Sequence, residues 1–225
     1  MTDHVTSPRG VAATFASRPD SSDLSVVGST FGLWGGPAQD EYRLRDLRVT
    51  GTFVDVGAHI GTVAIAVLLD NPEATAVCIE PLADNCRMIE VNAELNGLTD
   101  RLTVLHAAIG KGRRAEIAHG FVGDLASERW IGSLAIGAAG PHTVEKVRTV
   151  TLRSLGPIDV LKLDCEGCEW KALAEPAARK VRVIVGEAHN DNAWPDTIHG
   201  LLDATHEVEI LANPGGTGLF RAVRR

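Results

Sequence analysis

The sequence predicts an α/β protein, a doubly wound and mostly parallel sheet that ends in a C-terminal antiparallel hairpin. Three observations carry this expectation. From residue 53 onward, short apolar runs alternate with longer segments of helical period. The run Phe53-Val54-Asp55-Val56 breaks at Gly57 and crosses Ala58-His59-Ile60-Gly61 into a helix-like stretch, so strand gives way to helix within a few residues. Near the end, Glu207–Leu211 and Leu219–Val223 flank Asn213-Pro214-Gly215-Gly216, a turn composition that joins neighbouring strands. Strands alternating with helices pair in parallel through right-handed crossovers.

In chain order, 1–22 is rich in Ser, Thr, Pro, Arg and Asp and reads as an irregular arm. Residues 23–50 form a lead-in. Its stretch Leu24–Gly36 is apolar, is broken by glycines and contains Phe31 and Trp34, so it reads either as a lid over a ligand or as packing on the sheet edge. Asp40–Leu44 reads as a short polar helix. The core, 53–225, then runs through strands at Phe53–Val56, Thr75–Ile79 and Leu102–Leu105. Helices at Ile60–Leu69 and Asp84–Asn96 separate them, the second expected to bury Met88, Val91 and Leu95. Residues 111–146 form a glycine-rich excursion read as a small hairpin or loop. Strands at Val147–Leu152, Asp159–Leu163 and Val181–Val185 follow, with helices at Glu169–Ala178 and Trp194–Thr205. The whole of 1–225 reads as one domain.

At 225 residues the chain is long enough to bury a substantial core, and 44% hydrophobic with 23% charged residues describes an ordinary globular protein. A formal net charge of −7 argues against nucleic acid as the main partner. No apolar run reaches the ~18 residues of a membrane span, and no signal-type leader opens the chain, so the expectation is a cytoplasmic protein with no membrane partner. A homodimer is left open. Cys165-Glu-Gly-Cys168 lacks a second pair at zinc-ribbon spacing, since Cys78 and Cys86 lie too far apart; all four are read as structural, reduced thiols.

The glycine turn has a chemistry. Gly57 allows a tight turn and a close backbone approach at the carboxyl end of a strand, where open α/β sheets bind ligands. Glu80 ends the next strand, 23 positions later, where a carboxylate accepts from both hydroxyls of a ribose. The middle glycine of a dinucleotide fingerprint is missing between Gly57 and Gly61, which disfavours a diphosphate and an NAD-dependent oxidoreductase. Asp55 repels phosphate and attracts a cationic centre. S-adenosylmethionine combines a ribose, a positive sulfur and no phosphate.

Two further clusters fall at strand ends. Asp159-Val160-Leu161-Lys162-Leu163-Asp164 leads through Cys165-Glu166-Gly167 into a helix; its acids either face the same crevice or cap and charge that helix. Gly186-Glu187-Ala188-His189-Asn190 closes the following strand, with Glu187 and His189 on one side. Asp164, Glu187 and His189 are the candidate catalytic residues for deprotonating a hydroxyl, and also the candidate ligands of a divalent metal; a surface cluster is the alternative.

These segments together resemble the FkbM-type S-adenosylmethionine-dependent methyltransferases. The similar residues are Phe53–Gly61, Glu80-Pro81 with Asn85 and Asn92, Ala107–Gly110, Ser133-Leu134, Val150–Leu152 and above all Asp159–Glu169, over about 22–190. The resemblance implies a Rossmann-like class I methyltransferase fold. It implies cofactor contacts from Asp55, Gly57, His59, Gly61, Glu80, Pro81, Ala108 and Ser133. It places Glu166 at the border of the acceptor, with Trp34 and Asn190 as further substrate contacts. His59 stands where the family usually has Asn. The expected reaction is O-methylation of a small-molecule hydroxyl, in natural-product or sugar chemistry; N-methylation of an amine and a non-catalytic binding module are the alternatives.

Overall fold

The structure is a computed structural model that describes residues 2–19, 21–32, 40–120, 142–189, 193–212 and 218–225. The chain opens with strands β1 (Thr2–Thr6) and β2 (Ala12–Ala16) and helix α1 (Asp23–Phe31). Next come β3 (Thr52–Val56), α2 (Thr62–Asp70), β4 (Thr75–Glu80), α3 (Ala83–Leu95) and β5 (Leu102–His106). A small sheet of β6 (Ala108–Ile109), β7 (Arg114–Gly120) and β8 (His142–Val150) is the excursion, and β7 and β8 are indeed an antiparallel hairpin. The chain ends with β9 (Val160–Leu163), α4 (Glu169–Leu173), β10 (Val183–Ala188), α5 (Trp194–Leu202), β11 (His206–Ala212) and β12 (Gly218–Arg224).

The main sheet has the order β11-β12-β10-β9-β3-β4-β5. Its five strands from β10 to β5 are parallel, and β12 joins antiparallel to both β10 and β11. The α/β class, the mostly parallel sheet and the closing hairpin are therefore as expected. Alternation along the strands divides the core in two. Phe53, Cys78, Val160 and Val183 pack with α2 and α3, whereas Val54, Val56, Leu161, Leu163 and Ile184 pack with α4 and α5. From β3 the chain steps outward to β4 and β5, then returns to place β9 on the other side of β3. The crevice between the carboxyl ends of β3 and β9 is thus the switch point of the sheet, the place where ligands bind in such folds.

Three expectations need correction. The arm at 1–22 is not irregular: β1 and β2 form an antiparallel hairpin. Its backbone is fastened to α3 by two asparagines, since Ala16 N donates to Asn92 Oδ1 (2.7 Å) and Thr14 N to Asn96 Oδ1 (2.9 Å). The Arg9 guanidinium donates to carbonyls of Leu47 and Asp70. The apolar face expected of α3 is also misplaced. Val91 and Leu95 are 42% and 45% exposed, while Cys86, Ile89 and Ala93 point inward beside buried Asn85 and Asn92. Polar side chains occupy the inward positions because their bonds are all satisfied there; Asn92 Nδ2 donates to Ile60 O (3.1 Å). Finally, the lead-in holds a true helix, α1, and the turn at 40–44 leads into a 3₁₀ turn at Leu44–Asp46 rather than a polar helix. Among the described residues no helix is long and apolar enough to cross a membrane.

Asn92→Ala should lower stability by about 1–3 kcal/mol in urea denaturation, because it strands the buried Ala16 N–H and Ile60 carbonyl. Leu95→Ala, on the exposed side of the same helix, should change it by no more than ~0.5 kcal/mol.

Candidate active site

The crevice at the switch point opens into a cavity of about 430 Å³. Its wall comes from the turns after β3, β4, β5 and β9, from α1, and from the small β6–β8 sheet. The turn after β3 needs glycine. Gly57 has φ +75°, and a Cβ on it would lie 1.8 Å from the carbonyl oxygen of Asp164. The loops that end β3 and β9 therefore touch through bare backbone, and any other residue would push them apart.

Beneath that contact sits a buried ion pair. Asp55 and Lys162 are direct partners in the β3–β9 ladder. Lys162 Nζ lies 3.0 Å from Asp55 Oδ1 and 3.6 Å from Asp164 Oδ2, and it donates to the Gly57 carbonyl at 2.8 Å. Burial works against the Lys162 cation, yet Asp55 and Asp164 outweigh it and hold its pKa above the ordinary lysine value. Burial likewise raises the Asp55 carboxyl, and Lys162 opposes that rise. Asp55, expected to meet a cationic ligand, is fully buried, is not among the residues lining the cavity, and lies against Lys162.

One end of the cavity is built around Glu80. Its carboxylate accepts from the backbone N–H of His59 (2.9 Å) and Leu82 (3.0 Å) and from Asn85 Nδ2 (3.2 Å). Burial pushes its pKa up to about 7 despite these bonds. His59 adopts a left-handed conformation (φ +52°), which Asn and His tolerate better than most residues, and this accounts for the residue type at that turn. Its Nε2 lies 3.1 Å from Ser22 Oγ, tying the turn to the start of α1. Pro81, Leu82, Ala107, Ala108 and Ile109 continue the wall as an apolar surface.

The other end is acidic. Asp164, Glu166 and Glu187 line it together with Glu41, whose carboxyl is raised by burial and by the charges of Glu187 and Asp164. The single tyrosine of the chain, Tyr42, donates its hydroxyl to Asp164 Oδ2 at 2.9 Å. The turn from β9 to α4 is tight, with Glu166 at φ +56° and Gly167 at φ +108°. Glu169, fully buried, turns back to accept from Cys165 N (2.9 Å) and Gly167 N (2.8 Å). The same carboxylate lies 3.0 Å from His189 Nδ1. Burial disfavours the His189 cation, but the Glu169 hydrogen bond and the charges of Glu166, Glu169 and Asp164 prevail and push its pKa up to about 9. Glu187 and His189 point to one side, as their alternation predicts, with 3.8 Å between His189 Nε2 and Glu187 Oε1.

Gly57, His59, Glu80, Pro81, Ala108, Asp164, Glu166 and Glu187 thus meet in one cavity. Besides Asp55, two expected contributors do not line it. Gly61 starts α2 and packs on Ile89, and His189 stands behind the acidic wall, facing its carboxylates. Trp34, Ser133 and Asn190 lie outside the described residues. The reading of Cys165 and Cys168 as reduced thiols is corrected: they form a disulfide across the turn, which brings the three-residue spacing to a Cα separation of 5.5 Å. Cys78 and Cys86 are free and buried, as expected. Sequence reasoning missed Glu41, Tyr42 and the β7 segment Ala115–Ile117, which all border the cavity. Only the solitary tyrosine offered a signal, and it lay in the lead-in, about 120 positions from its partner.

A mostly parallel sheet with a cavity at its switch point, Glu80 at one end and a group of acids at the other, is a Rossmann-like arrangement. The family model for the methyltransferase FkbM domain matches residues 55–210, and the chain belongs to that family. Among solved structures it is similar to a precorrin-6y C5,15-methyltransferase from Geobacter metallireducens GS-15, with TM-score 0.52, 13% identity and 83% and 87% of the two chains covered. It is also similar to an O-methyltransferase from Bacillus cereus in complex with SAH, with TM-score 0.51, 14% identity and 84% and 82% covered. At such identities these likenesses concern the fold. No curated protein matches the chain.

Lys162→Ala should cost about 3–5 kcal/mol in chemical denaturation, because Asp55 would be left buried without its cation. Adding Asp55→Asn should recover part of the loss; a double variant less stable than Lys162→Ala would contradict the pairing.

Proposed function

We propose that the protein is an S-adenosylmethionine-dependent methyltransferase that methylates a hydroxyl of a small molecule, such as a sugar or natural product. The observation that carries this reading is the division of one cavity into two unlike ends. At the first, the Glu80 carboxylate stands in the wall for ribose hydroxyls, beside an apolar surface fit for a purine. The one lysine that reaches the glycine turn, Lys162, is already paired with Asp55 and bonded to the Gly57 carbonyl, which argues against a diphosphate there. These residues fit the cofactor. When bound, it supplies a methyl group on a sulfonium leaving group.

The chain's own residues orient and deprotonate. Holding the acceptor in line is worth roughly 7–11 kcal/mol of barrier. Asp164 and Glu187, on the wall, are placed to take the hydroxyl proton, which contributes about 10²–10⁴-fold. Tyr42 and Lys162 both engage Asp164 Oδ2 and so hold its carboxylate. An amine acceptor needs less help from a base, so this pair of acids favours a hydroxyl over the N-methylation alternative. The same acidic wall disfavours a nucleic-acid backbone.

Calorimetric titration tests the donor. S-adenosylmethionine should bind saturably and NAD should not; the reverse pattern overturns the reading. Glu80→Ala should abolish that binding. Because the Glu80 pKa is raised to about 7, its ionised, hydroxyl-accepting form is lost as pH falls. Affinity should therefore drop about 5-fold from pH 7 to pH 6 and level off above about pH 8. On an identified acceptor, Asp164→Ala and Glu187→Ala should keep cofactor affinity and lower kcat by about 10²-fold or more, and His189→Ala should also lower it. Full turnover in all three variants would show that the acidic end is not the acceptor site.

A further inference from the structure

We infer that the acidic end of the cavity is a divalent-cation site, with Asp164, Glu187 and His189 as protein ligands and Glu169 as the residue that positions the histidine. This rests on the reading of that end as the acceptor site. Asp164, Glu187 and His189 each offer one ligand atom, and these atoms all lie within 4.8 Å of one another.

The cluster is more than a patch of acids, because of how His189 is held. The residue is 8% exposed, and its Nδ1 is engaged by the fully buried carboxylate of Glu169 at 3.0 Å. That contact turns Nε2 into the cluster. Among the described residues, what faces Nε2 is three carboxylates: Glu166 Oε2 at 3.7 Å, Glu187 Oε1 at 3.8 Å and Asp164 Oδ1 at 4.0 Å. A charge-assisted hydrogen bond from Nε2 would draw one oxygen to about 2.7–2.9 Å. Adjacent ligands of one ion, each bonded at about 2.0–2.2 Å, stand roughly 3.0–3.6 Å apart. The observed spacings are too long for a direct hydrogen bond, and an inward shift of about half an ångström by the carboxylates would bring them into that range.

A buried carboxylate on the far nitrogen of a ligating histidine is the outer-shell arrangement that fixes tautomer and ring orientation in metal sites. Glu169 performs this task while also holding the turn that carries Asp164 and Glu166. Imidazole and carboxylate together suit a first-row ion such as Mn²⁺ or Zn²⁺. Since Asp164 and Glu187 line the cavity, an ion they hold keeps coordination positions open to an acceptor hydroxyl, whose pKa it would lower.

The test uses the full chain, stripped of metal with a chelator and titrated with MnCl₂, with free Mn²⁺ read from its electron paramagnetic resonance signal. One Mn²⁺ should bind per chain. Asp164→Asn and Glu187→Gln should abolish binding, and Glu169→Gln should weaken it 10–100-fold. Asp203→Asn, at an exposed i,i+4 pair with His199, should bind as the parent does. Circular dichroism and S-adenosylmethionine affinity establish that each variant is folded. Absence of saturable Mn²⁺ binding by the parent chain, or equal binding in folded Asp164→Asn and Glu187→Gln, overturns the site; unchanged affinity in folded Glu169→Gln overturns the role of Glu169. Metal and methyl-donor binding are read separately, so this inference and the proposed activity can fail independently.

Discussion

The Asp55–Lys162 pair is the interaction on which the rest of the arrangement depends. Two charges are almost wholly taken out of water at the switch point between β3 and β9. Such a pair adds little net stability compared with well-packed apolar residues, but losing either partner is costly. Its value here is geometric. It locks β3 beside β9 in one register, and Lys162 then bonds the Gly57 carbonyl and leans on Asp164. Through a single ammonium group, the turn at the cofactor end and the acid at the acceptor end are held at a set separation.

Around that centre the two ends of the cavity solve opposite electrostatic problems. Glu80 is surrounded by donors, so its charge is bonded though its burial is severe. At the acceptor end carboxylates crowd one another, and the crowding is visible in Glu41, raised by its acidic neighbours after burial itself. A pocket of that kind selects for positive charge or for hydroxyls that can lose a proton, and against phosphates. The family membership points to methyl transfer; the proposed hydroxyl acceptor rests on the contrast between the two ends.

The parallel core was legible because apolar runs, glycine turns and helical period all agree from residue 53 onward. That Gly57 and Glu80 meet in one cavity was legible for the same reason: both sit at strand ends, and strand ends can be counted. What the pattern hid has a common physical cause. The β1–β2 hairpin is held by asparagine side chains some 80 positions away, and polar contacts of that kind leave no periodicity. The inward face of α3 was misjudged because an asparagine with every bond satisfied outcompetes valine and leucine for the buried position. The burial of Asp55 against Lys162 follows from the β3–β9 register, which joins residues more than 100 positions apart and leaves no local pattern. Glu169 read as an ordinary first-turn acid, since its three partners are set by the fold.

The asparagines of α3 carry one more consequence. Asn92 and Asn96 clasp the N-terminal hairpin, and Asn85, on the same helix, bonds both Glu80 and the Arg18 guanidinium that follows the hairpin. The N-terminal hairpin and Glu80 are thus joined through one helix. By thermodynamic reciprocity, a ligand that orders Glu80 and Asn85 would favour docking of the hairpin, and a docked hairpin would favour that ligand to the same extent.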